Sequence, residues 1–289
     1  MAEQDSLHRF LFEQAGVRGA LVQLDASWQA VLSRRPYPSP VLTQLGQALA
    51  ATVLLSASIK FEGSLILQAQ GAGPIRTLVA QATHLRTLRG LALWNGEVAL
   101  DGLAGMFGPG TLALTIDPPS GERYQGIVDL AGASLAEALE AYFAQSVQFA
   151  TRLWLAADKQ RSAGLLIQEL PSQPGHAEDW ARIGVLADTV TDRELLSLPA
   201  QKLLYRLFNE EHVRMFESEP VSFRCGCSRA RIAETLLTLG RGEVDAILAE
   251  QGAVDADCEF CNKHYHFDRV DIEQLFSQSV APSLPETRH

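Results

Sequence analysis

The sequence predicts an α+β protein: an N-terminal domain of mostly antiparallel sheets packed with helices, then a helical linker, then a small C-terminal zinc-binding module. Three observations predict this. Short apolar runs of strand length, separated by Gly and Pro, extend from Val17 to Pro171. Nearly a third of residues 176–220 are charged, against 20% of the whole chain. All four cysteines fall between Cys225 and Cys261. With 289 residues and 47% hydrophobic content, the chain can build one large core and a smaller one.

The first domain, residues 1–175, carries strand-length runs at RGALVQLD, GSLILQAQG, IRTLVAQA, RGLALW, GTLALTIDPP, YQGIVDL, FATRLWLA and AGLLIQELP. Two helices interrupt them. The first is Pro40 to Ile59, twenty residues without a charge and therefore as long as a membrane span. Its scattered Gln, Thr and Ser, its many Ala and Gly, and the lack of flanking aromatics predict instead a helix buried against a sheet, with small residues allowing close approach. The second is SLAEALEAYFAQS, with Ser134 as N-cap, Glu137 closing a capping box, and Leu135, Leu139, Tyr142 and Phe143 on one face.

Residues 176–221 read as a helical linker. Thr191 and Glu194 form a second capping box, Pro199 marks a break between helices, and Leu203, Leu204, Leu207 and Phe208 make a stripe that needs a surface to lie on. A segment this charged has little apolar area to offset an ordering entropy of about 1–2 kcal/mol per residue. Its folding is therefore expected to depend on the module beside it. If the linker melts, this stripe, or the sheet face beneath it, becomes exposed apolar surface.

The module spans residues 222–276. Ser228 caps a helix with Ile232, Leu236 and Leu239 inward, ending at Gly240; a second helix with Val244, Ile247 and Leu248 ends at Gly252. VDADCEFCNKHYHFD alternates as a hairpin with C-x-x-C at its turn, and Asp268 caps a last helix bearing Ile272, Leu275 and Phe276. Residues 277–289 read as a disordered tail.

Cys225-x-Cys227 and Cys258-x-x-Cys261, separated by a short helical segment, offer four sulfurs to one tetrahedral ion, and four thiolates suit a single Zn²⁺ per chain. Gly226 is expected to ease the turn between the first two sulfurs. His264 and His266 share the strand face opposite Tyr265 and Phe267 and are expected on the surface. Arg224, Arg229, Arg231, Lys263 and Arg269 flank the ligands and can offset their charge. Four protein ligands leave no open position for hydrolysis, so the metal is structural and no enzymatic role is expected. Oxidation would convert adjacent thiolates to disulfides that no longer hold zinc, and proximity predicts Cys225–Cys227 and Cys258–Cys261.

A net charge of −10 argues against nucleic acid and anionic membranes as partners. The N-terminus, MAEQDSLHRFLFEQAG, lacks the pattern of a secretory signal, which predicts a cytoplasmic protein. GAGPIR lacks the continuation of a phosphate loop, and Asp117 before two prolines suits a strand end better than an acid catalyst. Two rival readings remain open, a thiol–disulfide oxidoreductase and a zinc-ribbon nucleic-acid binder. Asp257 and Glu259 beside Cys258 oppose the first, and the acidic balance opposes the second.

The C-x-C and CEFC motifs, LYRLFNEEHVRMF before them, and YQGIVDL, SLAEALEAYFAQS and TRLWLA upstream together resemble the redox-regulated 33-kDa heat-shock chaperone family of bacteria, from about residue 7 to residue 276. The resemblance implies a holdase that is inactive when reduced and zinc-bound. Oxidation would form the two disulfides, release zinc, unfold the linker, uncover a surface for unfolding clients, for which Leu203, Leu204, Leu207 and Phe208 or the sheet face beneath them are the candidates, and yield an active homodimer. Clients would then pass to a DnaK-type foldase system.

Overall fold

A computed structural model describes residues 5–99, 101–146, 149–170 and 177–279. Residues 277–279, read from sequence as the start of a disordered tail, continue the last helix; residues 280–289 and the join at 171–176 lie outside the described residues. The chain divides into two compact units, Met1–Arg224 and Cys225–His289.

The first unit opens with β1 (Ser6–Phe12), β2 (Val17–Leu24), α1 (Ala26–Leu32) and α2 (Ser39–Ser58). A meander of β3 (Ser64–Gly71), β4 (Ile75–Thr83) and β5 (Thr87–Trp94) follows, then α3 (Gly102–Phe107), β6 (Gly110–Asp117) and β7 (Tyr124–Asp129). After α4 (Leu135–Ser146) come β8 (Thr151–Ala157) and β9 (Ser162–Glu169). Three helices, α5 (Ala177–Ala187), α6 (Asp192–Ser197) and α7 (Ala200–Phe208), lead to three short strands, β10 (Val213–Met215), β11 (Glu219–Pro220) and β12 (Ser222–Phe223).

These strands form two sheets. One runs β10-β1-β2-β9-β8, with β11 also beside β1; the other runs β12-β5-β4-β3-β6-β7. Every pairing is antiparallel except β12 with β5. The charge-free helix α2 packs against strands of both sheets, and fourteen of its residues are buried. Small residues permit the approach, since a Cβ on Gly46 would stand 2.4 Å from the Ala157 Cβ. A run long enough for a bilayer thus serves as the core helix of a folded unit.

The first sheet is buried on both faces. Along β2, Ala20, Val22 and Leu24 join the core around α2, while Val17 and Leu21 join a second core beneath α5–α7. Side chains alternate between faces, so a strand covered on both sides reads as the near-continuous apolar run AGLLI of β9. Leu135, Leu139, Tyr142 and Phe143 of α4 are all buried. Its cap differs slightly from the sequence reading: Ser134 Oγ accepts the Glu137 N–H at 3.2 Å, but the Glu137 carboxylate accepts from the N–H of Ala133.

The charged segment is helical only as far as Phe208. Its end turns into β10 and β11 on the outer edge of β1 and β12 on the edge of β5. Strands of two or three residues carry no periodic signal. What holds them is the unpaired backbone edge that β1 and β5 would otherwise present to water.

The second unit contains α8 (Arg229–Leu239), α9 (Arg241–Gln251), the hairpin β13 (Val254–Asp257) and β14 (His264–Phe267), and α10 (Arg269–Ser279). Its core is small: Leu236, Val244, Leu248, Val254, Cys258, Tyr265, Phe267 and Ile272. Leu239, expected inward, is half exposed. It sits in the last turn of α8, past the end of this short core. Compact packing begins at Cys225, since Ser222–Phe223 belong to the second sheet of the first unit and the Arg224 N–H donates to the Leu88 carbonyl at 3.0 Å.

Candidate metal centre

Two local structures bring the cysteines together. Cys225 and Cys227 precede α8, whose first turn is fixed by Ser228 Oγ accepting the Arg231 N–H at 3.2 Å. Cys258 and Cys261 occupy the turn between β13 and β14. There the Cys258 carbonyl accepts from the N–H of Cys261 at 3.2 Å and of Asn262 at 2.7 Å, and Cys258 N–H donates to the Lys263 carbonyl at 3.0 Å. Asn262 closes the turn at φ 56°, the left-handed region that Asn tolerates better than most residues. Gly226 has no positive φ, and a Cβ there would meet only the end of the Arg231 side chain at 3.2 Å. The expected need for glycine's conformational freedom is therefore not met at this position.

The four thiols converge, their sulfurs within 4.8 Å of one another. Cys225 Sγ is 3.6 Å from Cys258 Sγ, and Cys227 Sγ is 3.3 Å from Cys261 Sγ. A tetrahedron with metal–sulfur arms of about 2.3 Å has edges of about 3.8 Å. The cluster can therefore hold a metal ion after shifts of a few tenths of an ångström. Cys258 is buried and the other three are partly so, which leaves little room for a fifth ligand.

The thiols are not equivalent. Burial pushes Cys261 up to about 12, with the neighbouring sulfurs adding to it, and burial likewise raises Cys258. Burial also works against ionisation of Cys227, but hydrogen bonds from the Tyr265 hydroxyl and then from the other three cysteines bring it down to about 7. The hydroxyl donates to Cys227 Sγ at 3.1 Å. Sequence reasoning missed Tyr265 as part of the site. Its signal was there, since alternation places its ring inward beside Phe267 and a buried phenol needs a partner for its O–H.

Three of the five flanking cations have partners other than the sulfurs. Arg229 pairs with Asp271 at 2.6 Å, donates to the His266 carbonyl and stacks over the Phe267 ring. Arg231 donates to the Gly226 carbonyl, and Lys263 sits over the Tyr265 ring. His264 and His266 are exposed and meet Asp255 and Asp257 rather than the sulfurs.

The proposed client-binding residues are covered. Leu203, Leu204, Leu207 and Phe208 are at most 4% exposed and pack on the outer face of the first sheet, where Phe208 meets Phe12 edge-on at 4.9 Å and Phe10 at 6.2 Å. The Thr191–Glu194 capping box is present in both directions.

Comparison with known proteins covers the whole chain. The family model described as Hsp33 protein matches residues 5–268. A 33 kDa chaperonin of Nitrosococcus oceani is 63% identical, and one of Methylobacillus flagellatus 47% identical, each over 100% of both chains. The crystal structure of the 33 kDa chaperonin of Thermotoga maritima, a heat shock protein 33 homolog, superimposes with a TM-score of 0.83 over 96% of this chain and 99% of that one, at 24% identity.

Proposed function

Because this chain belongs to the Hsp33 family of chaperones, we propose that its four-cysteine lobe is a redox switch on client binding. As a chaperone it binds unfolded proteins; the proposal concerns how that binding is controlled. In the reduced state Cys225, Cys227, Cys258 and Cys261 hold one Zn²⁺, whose contribution to a small module is commonly about 10–16 kcal/mol near neutral pH. A core of eight buried residues cannot replace that. Domains typically retain only about 5–15 kcal/mol of net stability.

A peroxide would open the switch. Each thiolate pair gives up two electrons, an S–S bond forms, and the O–O bond breaks to give two waters that take protons from solvent. Two such events yield Cys225–Cys227 and Cys258–Cys261 and free the zinc. The linker helices, residues 177–208, then leave the first sheet, exposing Leu203, Leu204, Leu207 and Phe208 and the face they cover, and the active form is a homodimer. Clients pass on to a DnaK-type foldase in the cytoplasm, and the holding step itself involves no catalysis. The C-x-x-C stands in a hairpin turn rather than at a helix N-terminus, the setting of dithiol enzymes, which favours the switch over an oxidoreductase.

The carrying observation is four thiols converging within 4.8 Å in a lobe with so small a core. The test measures zinc release and suppression of citrate synthase aggregation on one sample before and after peroxide at heat-shock temperature. Release and holding activity should rise together. Protein purified under reductant without stoichiometric zinc, or equal holding activity in both states, would overturn the proposal.

A further inference from the structure

The hairpin carries a second set of donors on its other face. Its register pairs Asp255 with His266 and Asp257 with His264. Tyr265 and Phe267 point into the lobe, so the i, i+2 residues Asp255, Asp257, His264 and His266 share the solvent face and all four are exposed. One oxygen gathers both rings: Asp255 Oδ1 lies 3.1 Å from His264 Nε2 and 2.7 Å from His266 Nδ1. The other nitrogen of His264, Nδ1, is 2.9 Å from Asp257 Oδ1.

We infer that Asp255, His264 and His266 form a second site for a divalent transition-metal ion, of the two-histidine, one-carboxylate kind, on the solvent face of the β13–β14 hairpin. The three donors lie within 4.8 Å of one another. Nitrogen and oxygen bind Zn²⁺ at about 2.0–2.2 Å, which places donors roughly 3.3–3.6 Å apart in a tetrahedron. Exposed side chains on a fixed strand pair can spread by the ångström or less required. Asp257 supplies what metal-ligating histidines usually have, a carboxylate on the other ring nitrogen that sets the tautomer and aims Nε2 at the ion. Three protein ligands leave a position for water.

This site differs in kind from the sulfur cluster. Its donors are borderline rather than soft, so it takes Zn²⁺, Ni²⁺ or Cu²⁺ without preference for thiophilic ions. None of its donors is readily oxidised by peroxide, so loss of this site after oxidation reports unfolding of the hairpin and not damage to the donors. Its donors take no part in the switch proposed above.

The test titrates Zn²⁺ calorimetrically into full-length protein already holding one equivalent under reductant. A second binding event with one ion per chain is expected. His264→Ala with His266→Ala abolishes it, and Asp257→Asn weakens it by roughly 10- to 100-fold. Cobalt in the sulfur site gives an intense sulfur-to-metal charge-transfer band. That band should be unchanged in the variants, showing a folded lobe, and should not grow with the second equivalent. No second event, or one that survives the double substitution, overturns the proposal; unchanged affinity in Asp257→Asn overturns the role given to Asp257.

Discussion

Substituting Phe208→Ala should release the linker helices without any oxidant. Phe208 is 2% exposed and its ring meets two others, Phe12 edge-on at 4.9 Å and Phe10 tilted at 6.2 Å, both on β1. Truncating a buried Phe costs about 3–5 kcal/mol. At about 1.4 kcal/mol per tenfold, docking of α7 weakens by roughly a hundredfold to several thousandfold. Phe10 and Phe12 still pack edge-on against each other at 5.7 Å, so the loss falls on the linker side. Hydrogen exchange under reductant should show residues 177–208 deprotected while β10 to β12 keep their protection. Zinc should stay bound, and the reduced variant should suppress citrate synthase aggregation. If residues 177–208 remain as protected as in the parent and the reduced variant holds no client, then this stripe is not what restrains the chaperone.

Other outcomes follow from single contacts. Glu194 accepts hydrogen bonds from Thr191 Oγ1 and from the Thr191 N–H, and pairs with Arg206 at 2.7 Å, which together hold its carboxyl below the ordinary 4.5. That support is complete above 4.5 and fades as pH falls through the depressed folded value, so Glu194→Gln should flatten the acid limb of α6 protection measured by hydrogen exchange. Gly46→Ala gains up to about 1 kcal/mol of helix propensity but drives a Cβ to 2.4 Å from Ala157. Overpacking of this sort costs about 1–3 kcal/mol, so the urea midpoint should fall with an unchanged slope. Peptide mapping after peroxide should recover Cys225–Cys227 and Cys258–Cys261. Because Cys225–Cys258 and Cys227–Cys261 also lie within 3.6 Å, finding those cross-pairs instead would refute the proposed pairing.

Sequence reasoning reached what local chemistry decides. The caps at Thr191, Ser228 and Asp268 are where side chain and helix start coincide, and Gly252 ends its helix in the left-handed conformation that glycine accepts. The cysteine spacing alone assembled the cluster, since both halves sit on short-range structures, a capped helix start and a hairpin turn. Facts set by distant partners were not legible. The pairing of β10 and β11 with β1, the parallel contact of β12 with β5, and the inward phenol that reaches Cys227 depend on contacts separated by tens to hundreds of residues.

Those unread strands matter most for how a switch could work. The segment between the last strand of the first domain and Cys225 is fastened in two ways. Its helices lie on the first sheet through the apolar stripe of α7 and through polar contacts around α5 and α6, where Gln23 of β2 donates to the Leu195 and Leu198 carbonyls at 3.0 and 2.8 Å and Arg152 of β8 pairs with Asp188 at 2.6 Å. Its strands are stitched by backbone ladders to the edges of both sheets, and Glu219 on β11 is held by Arg9 and by Arg86 at 2.7 Å each, with Arg86 only 15% exposed. Breaking a largely desolvated ion pair leaves a charge uncompensated and costs far more than breaking an exposed one. Loss of the apolar packing along α7 therefore loosens that helix before the strands. The helices can leave the sheet while the chain just ahead of the first cysteine stays anchored, so exposure of the proposed client-binding face need not release the tether to the metal lobe.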